Sequence, residues 1–450
     1  MTEVAVIKQP PLNQARLEAM MGDILGEAQH QGASAAEADI SLESGLNVTV
    51  RMGEVETIEH NRDKGLGVTV YFGQRKGTAS TSDFSPMAIK EAVRAACTIA
   101  CYTAADDCAG LARAEVMAKT IPDLDLCHPW HLAADEAIAL AEDCEAEARA
   151  TDKRISNSEG ATVSSHQGLH VYGNSHGFTG GYATTRHSIS CAVIASDENG
   201  MQRDYWYSVA RDRRQMERPA DIGRHAAQRT VGRLGARRLP TQQATVVFAA
   251  EIAGSLLGHF ISAVRGGSLY RHASFLEGHL GQQVFPGFVH IHESPHLKKA
   301  LGSAPFDNEG VATQAHDMVR DGIVTSYVLD SYSARKLGME TTGNSGGVHN
   351  LLIDTGEADL AAILRQMNKG LLVTELIGMG VNIVTGDYSR GAAGYWIEHG
   401  EIAYPVEEIT IAGNLRDMFM HIREIGNDID MRGNIRTGSI LLEGLMVAGT

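Results

Sequence analysis

Apolar residues recur every three or four positions in the opening segment NQARLEAMMGDILGEAQ, placing Leu17, Met20, Met21, Ile24 and Ala28 on one face of a surface helix. The period then drops to two. ADISLESGLNVTVRMGEVETIEH alternates apolar and polar residues about Met52-Gly53, the pattern of a half-exposed antiparallel hairpin. A second hairpin follows, with GLGVTVYF and TASTSD joined by GQRKG. Helices are predicted over about 85–100 and about 133–150, where Ser85-Pro86 supplies a cap with proline at the first helical position and Asp135-Glu136 places acid at the positive helix end. From 158 to 210 alternating segments are broken by Gly-Asn, Gly-Gly and Asn-Gly pairs, which predicts a long antiparallel meander. A helix over about 221–234 ends at Gly235, and ARRLPTQQ reads as a linker.

The second half opens with a strand, ATVVFA, and feeds a nearly all-apolar helix, AGSLLGHFISAV, before returning to glycine-punctuated strands. The expected fold class is α+β, with two domains rich in antiparallel sheet and flanking helices. Residues 1–235 form an N-terminal α+β domain with hairpins, two helices and a meander, and residues 241–450 form a β-rich C-terminal domain that carries the apolar helix. Length agrees, since 450 residues exceed what one hydrophobic core organises.

Charge narrows the function classes. With 55 acidic and 39 basic residues the net charge is -16, and no strong basic patch offsets it, so direct binding to nucleic acid or an anionic membrane is not expected. The N-terminus lacks the basic and apolar regions of a secretory signal, and no apolar run reaches the ~18 residues that span a bilayer. The six cysteines all lie at or before Cys191 and include no CxxC pair. A cytoplasmic protein with reduced thiols is the expectation.

Three segments suggest chemistry. His292-Glu293-Ser294-Pro295-His296 matches HExxH, but a proline at the fourth position cannot sit inside the continuous helix that a zinc peptidase needs. The expected structure is a strand end, a Ser294 cap and a helix beginning at Pro295 and running through HLKKAL. In the apolar helix, Ile252, Leu256, His259, Phe260 and Ala263 share about 100° of arc, so His259 points to the core or to an internal cavity. GDYSRGAAG, followed by YWIE, a His399-Gly400 turn and EIAYPVEEITIAG, reads as a loop and hairpin. Its glycines permit close backbone approach, and a peptide could add to such a sheet as an extra strand.

These residues carry a resemblance. GDYSRGAAGYWIEHGEIAYPVEEITIAGNLRDM, SYSARKLGMETTGNSGGVHN, HGFTGGYATTRHSIS and GLGVTVYFGQRKGTASTSD are similar to the PmbA/TldE proteins of the TldD/TldE family, also called modulators of gyrase, from about residue 12 onward. The resemblance implies a subunit of a cytoplasmic metalloprotease in which two related chains enclose a cavity that cleaves unstructured peptide, with roles in peptide-toxin maturation and antitoxin degradation. It also implies a helix bearing HExxxH and a C-terminal cysteine ligand in the catalytic TldD-type subunit. On this chain HExxxH falls on the segment Gly254, Ser255, Leu256, Leu257, Gly258 and His259, and the cysteine falls near Thr437.

Only His259 keeps a ligand, and one imidazole is short of the roughly three that a catalytic zinc takes. His272, Glu277, His279 and Glu251 are the nearest substitutes, in a stretch that reads largely as loop. The expectation is therefore a chain without a catalytic residue or metal of its own, partnered by a zinc-bearing TldD-type subunit and acting on unfolded peptide. Homodimer formation is a further expectation for a family of two related subunits. Asp387, Tyr388, Ser389 and Arg390 are the candidate loop facing substrate or partner, or else a tight structural turn. An independently active peptidase with atypical ligands and a non-enzymatic peptide-binding protein are the alternatives.

Overall fold

The opening helical periodicity becomes α1 (Gln14–His30), whose Leu17, Met21, Ile24 and Ala28 are buried, in a computed structural model that describes residues 13–198 and 200–449. Alternation gives β1 (Ala35–Arg51), β2 (Glu54–Phe72) and β3 (Arg75–Thr81). Met52 and Gly53 turn the first hairpin with φ of 55° and 79°, the left-handed pair that suits strand twist. β2 runs unbroken through the polar stretch at 61–64, joining what read as two hairpins into one ribbon. Residues 54–60 are exposed on both faces, so no alternation marks them as strand.

α2 (Pro86–Tyr102) begins where the Ser85 side chain accepts from the Ala88 N–H. It lies on β3 at Gly77, where a Cβ would sit 2.1 Å from the Ala96 carbonyl oxygen. α3 (Ala134–Thr151), β4 (Ile155–Asn174), β5 (Thr179–Asp197), β6 (Gly200–Ala210) and α4 (Pro219–Gly232) complete the first half. Gly180 and Gly181 lie within β5 instead of turning the chain. The strands form one antiparallel sheet in the order β3-β2-β1-β4-β5-β6. Along β1, Ala36, Ala38 and Ile40 pack with α1 and α2, and Leu46, Val48 and Val50 pack with α3 and α4. All four helices thus cover one face, as a period of two requires. The other face is polar and holds a hollow of about 760 Å³ edged by Glu43, Lys64 and His166.

The second half runs β7 (Gln242–Phe248), α5 (Ala250–Val264), α6 (Gly266–Leu269), β8 (Ile291–Glu293), β9 (His316–Arg320), β10 (Ile323–Val324), α7 (Ser331–Leu337) and β11 (Leu351–Ile353). It ends with α8 (Leu360–Met367), β12 (Gly370–Ile377), β13 (Asp387–Glu398), β14 (Glu401–Asn414), α9 (Leu415–Met420), β15 (Ile422–Ile425), β16 (Ile435–Arg436) and β17 (Ile440–Ala448). The order β14-β13-β12-β7-β17 closes into a barrel because β14 also pairs with β17, from Thr410↔Ala448 to Ala412↔Met446. Closure removes the outer strand edges. A smaller sheet, β10-β9-β8-β11-β16, lies beside it. Val246, Phe248, Leu371 and Val373 share one core with Leu256 and Phe260 of α5. Phe260 stands edge-on to Phe285 at 5.2 Å, and Phe285 stacks on Phe419 at 4.8 Å. The fold is α+β, with antiparallel pairing dominant.

Arginines join the halves. Buried Arg211 donates to the carbonyls of Ala300 (2.9 Å) and Leu301 (2.8 Å), and Arg335 donates to that of Cys108 (2.6 Å). Between the halves lies a hollow of about 810 Å³ edged by Glu37 and Glu309. Glu37 accepts from the hydroxyls of both Tyr71 and Tyr172 at 2.8 Å. Burial pushes the Glu309 carboxyl up to about 7, opposed by hydrogen bonding from Ser331. A raised folded-state value favours the neutral acid. The stabilisation is full below the ordinary glutamate range and is lost as pH rises through about 7. Thermal unfolding midpoints should therefore fall between about pH 5 and pH 8, and Glu309→Gln should flatten that slope and stabilise the chain at the alkaline end by on the order of 1 kcal/mol.

Candidate functional site

β12 pairs with β7 only from Leu371↔Val246 to Val373↔Phe248. Beyond Phe248 the chain bends through Ala249, whose N–H still bonds the Val373 carbonyl at 3.0 Å, and becomes α5. β12 continues to Ile377 against β13 alone. Its residues 374–377 therefore present an edge that no strand among the described residues pairs with, facing the first turns of α5. A cleft of about 440 Å³ opens there, lined by Gly254 and Ser255 of α5, Glu375 and Leu376 of β12, Arg390 of β13 and Ile435 of β16. β6 supplies the opposite wall. Arg432 lies over Trp206 at 4.1 Å and over Tyr207 at 4.6 Å, and is itself held by Asp430 at 2.9 Å.

The cleft collects Gly254, Ser255 and Arg390, together with Glu251, and His259, Tyr388 and Thr437 are not part of its lining. Ser255 donates its hydroxyl to the Ile252 carbonyl at 2.7 Å, a bond within its own helix. One turn further along α5, His259 meets Tyr388 edge-on at 5.9 Å. Thr437 is buried just beyond β16, its hydroxyl donating to the Gly438 carbonyl at 2.9 Å. Gly254 and Gly258 face Ile435 instead, which a Cβ at either position would touch at 3.6 and 3.8 Å.

The segment that read as a loop, with Asp387, Tyr388, Ser389 and Arg390, is the start of β13. Its glycines and a register shift between Ala392 and Gly394 disguise the alternation. Tyr388 is buried, Asp387 and Ser389 are exposed, and Arg390 is half-buried. Asp387 accepts from Thr385 at 2.6 Å and from Asn414 at 3.3 Å, which fixes the turn into the strand.

The HExxH segment forms the end of β8 followed by turns, and no helix runs through HLKKAL. Lys299 sits at φ 59° with its N–H bonded to the Leu124 carbonyl, which breaks a helical path. Glu293 is buried and accepts from Asn344 at 2.9 Å and the His349 ring at 3.0 Å, while His296 bonds Thr313 at 3.0 Å. His272 pairs with Glu277 at 2.6 Å, His279 with the Glu277 carbonyl, and Glu251 with Arg229 at 2.6 Å.

Three polar atoms around α5 lack hydrogen-bond partners: His259 Nε2, the Tyr388 hydroxyl and Arg390 Nε. Arg390 also reaches the Leu376 carbonyl through Nη2, at 3.4 Å. Burial, with the Arg390 charge adding to it, holds His259 below the ordinary histidine range. Burial pushes Tyr388 up to about 12 against the same charge. At neutral pH the group is thus one guanidinium beside a neutral imidazole and a neutral phenol.

An apolar helix set beside an open strand edge is the framework on which the resemblance lays HExxxH, and the family models place the chain in the metallopeptidase class. Three family models follow it almost end to end: PmbA/TldA metallopeptidase domain 1 over residues 36–100, the central domain over 127–234 and the C-terminal domain over 241–449. Metalloprotease PmbA of Escherichia coli is 50% identical across 92% of each chain, and the PmbA homologue of Haemophilus influenzae is 48% identical across 94% of each. Among solved structures, a modulator of DNA gyrase from Bacteroides thetaiotaomicron superposes with a TM-score of 0.92 at 27% identity, covering 97% of this chain and 99% of that one. TldE of Thermococcus kodakarensis shares the fold at a TM-score of 0.84 and 20% identity, over 96% of this chain and all of the other (100%). The chain belongs to the PmbA/TldD metalloprotease family.

The metal that this family name implies does not fit the residues present. Gly254, Ser255 and Thr437 offer no imidazole, carboxylate or thiolate, which leaves one ring nitrogen where about three ligands are needed. Among the described residues no group of three or more His, Cys, Asp or Glu side chains is arranged to hold a metal ion. The cleft edge, Ile435, Glu375 and the Arg432 stack carried no local sequence signal, because each acquires meaning only from partners far away in the chain. His259→Leu keeps the bulk and removes the orphaned nitrogen. Its expected effect is a gain of roughly 1–2 kcal/mol in stability, read by thermal unfolding. A loss of that size would show that the ring nitrogen is bonded in solution.

Proposed function

We propose that the chain is the TldE-type, non-catalytic subunit of a two-subunit cytoplasmic metalloprotease, and that a TldD-type partner carries the zinc. A metalloprotease TldD homologue of Haemophilus influenzae is 24% identical over 47% of this chain, which supports a related but distinct partner. The observation that carries the reading is the ligand arrangement on α5. Of the HExxxH positions, two line the cleft without a donor, and the third, His259, turns toward Tyr388. Ser255 has no carboxylate to take a proton from an attacking water, and Glu251, one turn earlier on this helix, is held by Arg229 at 2.6 Å.

What the chain retains is a means of holding peptide. The edge at 374–377 offers main-chain groups to an extended segment with little demand on its sequence, which suits unfolded substrates such as peptide toxins and antitoxins. In this reading the cleft aligns peptide while the partner cuts it.

Elemental analysis of the purified chain should find zinc far below one equivalent per chain. Casein should stay intact with the chain alone and be cleaved when the TldD-type partner is added, with chelator abolishing that cleavage. Stoichiometric zinc together with chelator-sensitive cleavage by the lone chain would overturn the reading. Peptide retention without cleavage in the mixture would point to a holding protein instead.

A further inference from the structure

The charges lining the cleft are unevenly matched. Arg229 pairs with Glu251 at 2.6 Å and with Asp204 at 3.4 Å, and Arg432 pairs with Asp430 at 2.9 Å. Glu375, the carboxylate on the open edge, is taken by Arg233 at 2.5 Å. Among the described residues Arg390 is the one cation lining the cleft for which no carboxylate lies within ion-pair distance. Its Nε is buried without an acceptor, and among the described residues its side chain's one hydrogen bond is a 3.4 Å contact from Nη2 to the Leu376 carbonyl. Two residues back along β13, Tyr388 is 1% exposed with its hydroxyl unpartnered, against an imidazole whose Nε2 is unpartnered too. A guanidinium whose Nε has no acceptor, beside a phenol whose hydroxyl has none, is a donor set that a carboxylate satisfies, and a planar fork is well suited to take it in bidentate fashion.

We propose that this cleft is a carboxylate-binding subsite: Arg390, backed by Tyr388 and His259, anchors a carboxylate of a peptide laid along residues 374–377. The proposal rests on the reading that the chain holds extended peptide, and it adds a chemical preference to it. Arg390 lines the cleft together with Gly254 and Ser255 of the first turns of α5, so this end of the cleft attracts a negative group. The carboxylate has two possible sources, the peptide C-terminus and an acidic side chain. In either case His259 and Tyr388, packed against each other behind the cleft, bring no negative charge to compete for the guanidinium.

The test uses the full chain and four fluorescently labelled, otherwise uncharged peptides of about ten Ser, Thr, Val and Gly residues, long enough to cover the edge. One has a free C-terminus, one is its C-terminal amide, one is the amide with a single internal Glu, and one is the amide with Gln at that position. Fluorescence anisotropy of the wild-type chain should show at least about tenfold tighter binding for a carboxylate-bearing peptide than for its neutral counterpart. The free-acid and amide pair reports on the C-terminus, and the Glu and Gln pair reports on the side chain. Arg390→Gln should erase the difference while leaving neutral peptides bound, Arg390→Lys should keep part of it, and Tyr388→Phe should reduce it a few-fold.

Equal binding of all four peptides by the wild-type chain overturns the subsite and leaves peptide binding standing. Binding of none of them overturns both. The wild-type comparison needs no variant, so a variant that fails to fold does not blunt the result.

Discussion

A strand that leaves a sheet to become a helix must abandon its neighbour's hydrogen-bonding edge. β7 does this after Phe248, and everything distinctive about the cleft depends on it. The barrel closes through the β14–β17 pairing, yet the stretch of β12 beyond Val373 stays open on the side that β7 has left. The same bend aims the first turns of α5 across that edge, and it brings Gly254 and Ser255 to the spot where an added strand would lie. Main-chain geometry thus builds the groove before any particular side chain is chosen.

The two halves must stay in register for the groove to have a second wall. Arg211 and Arg335 supply this with guanidinium groups spread over backbone carbonyls, an arrangement with fixed directions and no dependence on the protonation of a carboxylate partner. Arg432 continues the theme by lying against Trp206 and Tyr207 of the first half while its partner, Asp430, belongs to the second. In the hollow between the halves, burial pushes the Glu309 carboxyl up to about 7.

The sequence made some of this legible and hid the rest for identifiable reasons. The buried face of α1, the Met52-Gly53 turn, the Ser85 cap and the apolar wrap of α5 are local, and each follows from spacing within a few residues. Some readings failed where a local rule lost its force. β2 needs no alternation where both faces meet water, the helix after Pro295 is stopped by a positive φ at Lys299, and β13 hides its strand character behind glycines and a register shift. His259 was correctly aimed at the interior, but nothing local could announce Tyr388 as its neighbour across the helix–sheet interface. Arg390 was singled out for the wrong geometry, as part of a loop, and gains interest from the strand that places it under α5.

Ile435 closes over the α5 face that bears Gly254 and Gly258. If an ancestral chain carried a ligand at position 254, its loss has since been sealed from outside the motif. An imidazole reintroduced there alone would meet an isoleucine, find no acid at Ser255 and find no sulfur at Thr437. A metal site laid on these positions would take several simultaneous changes scattered over nearly two hundred residues of sequence.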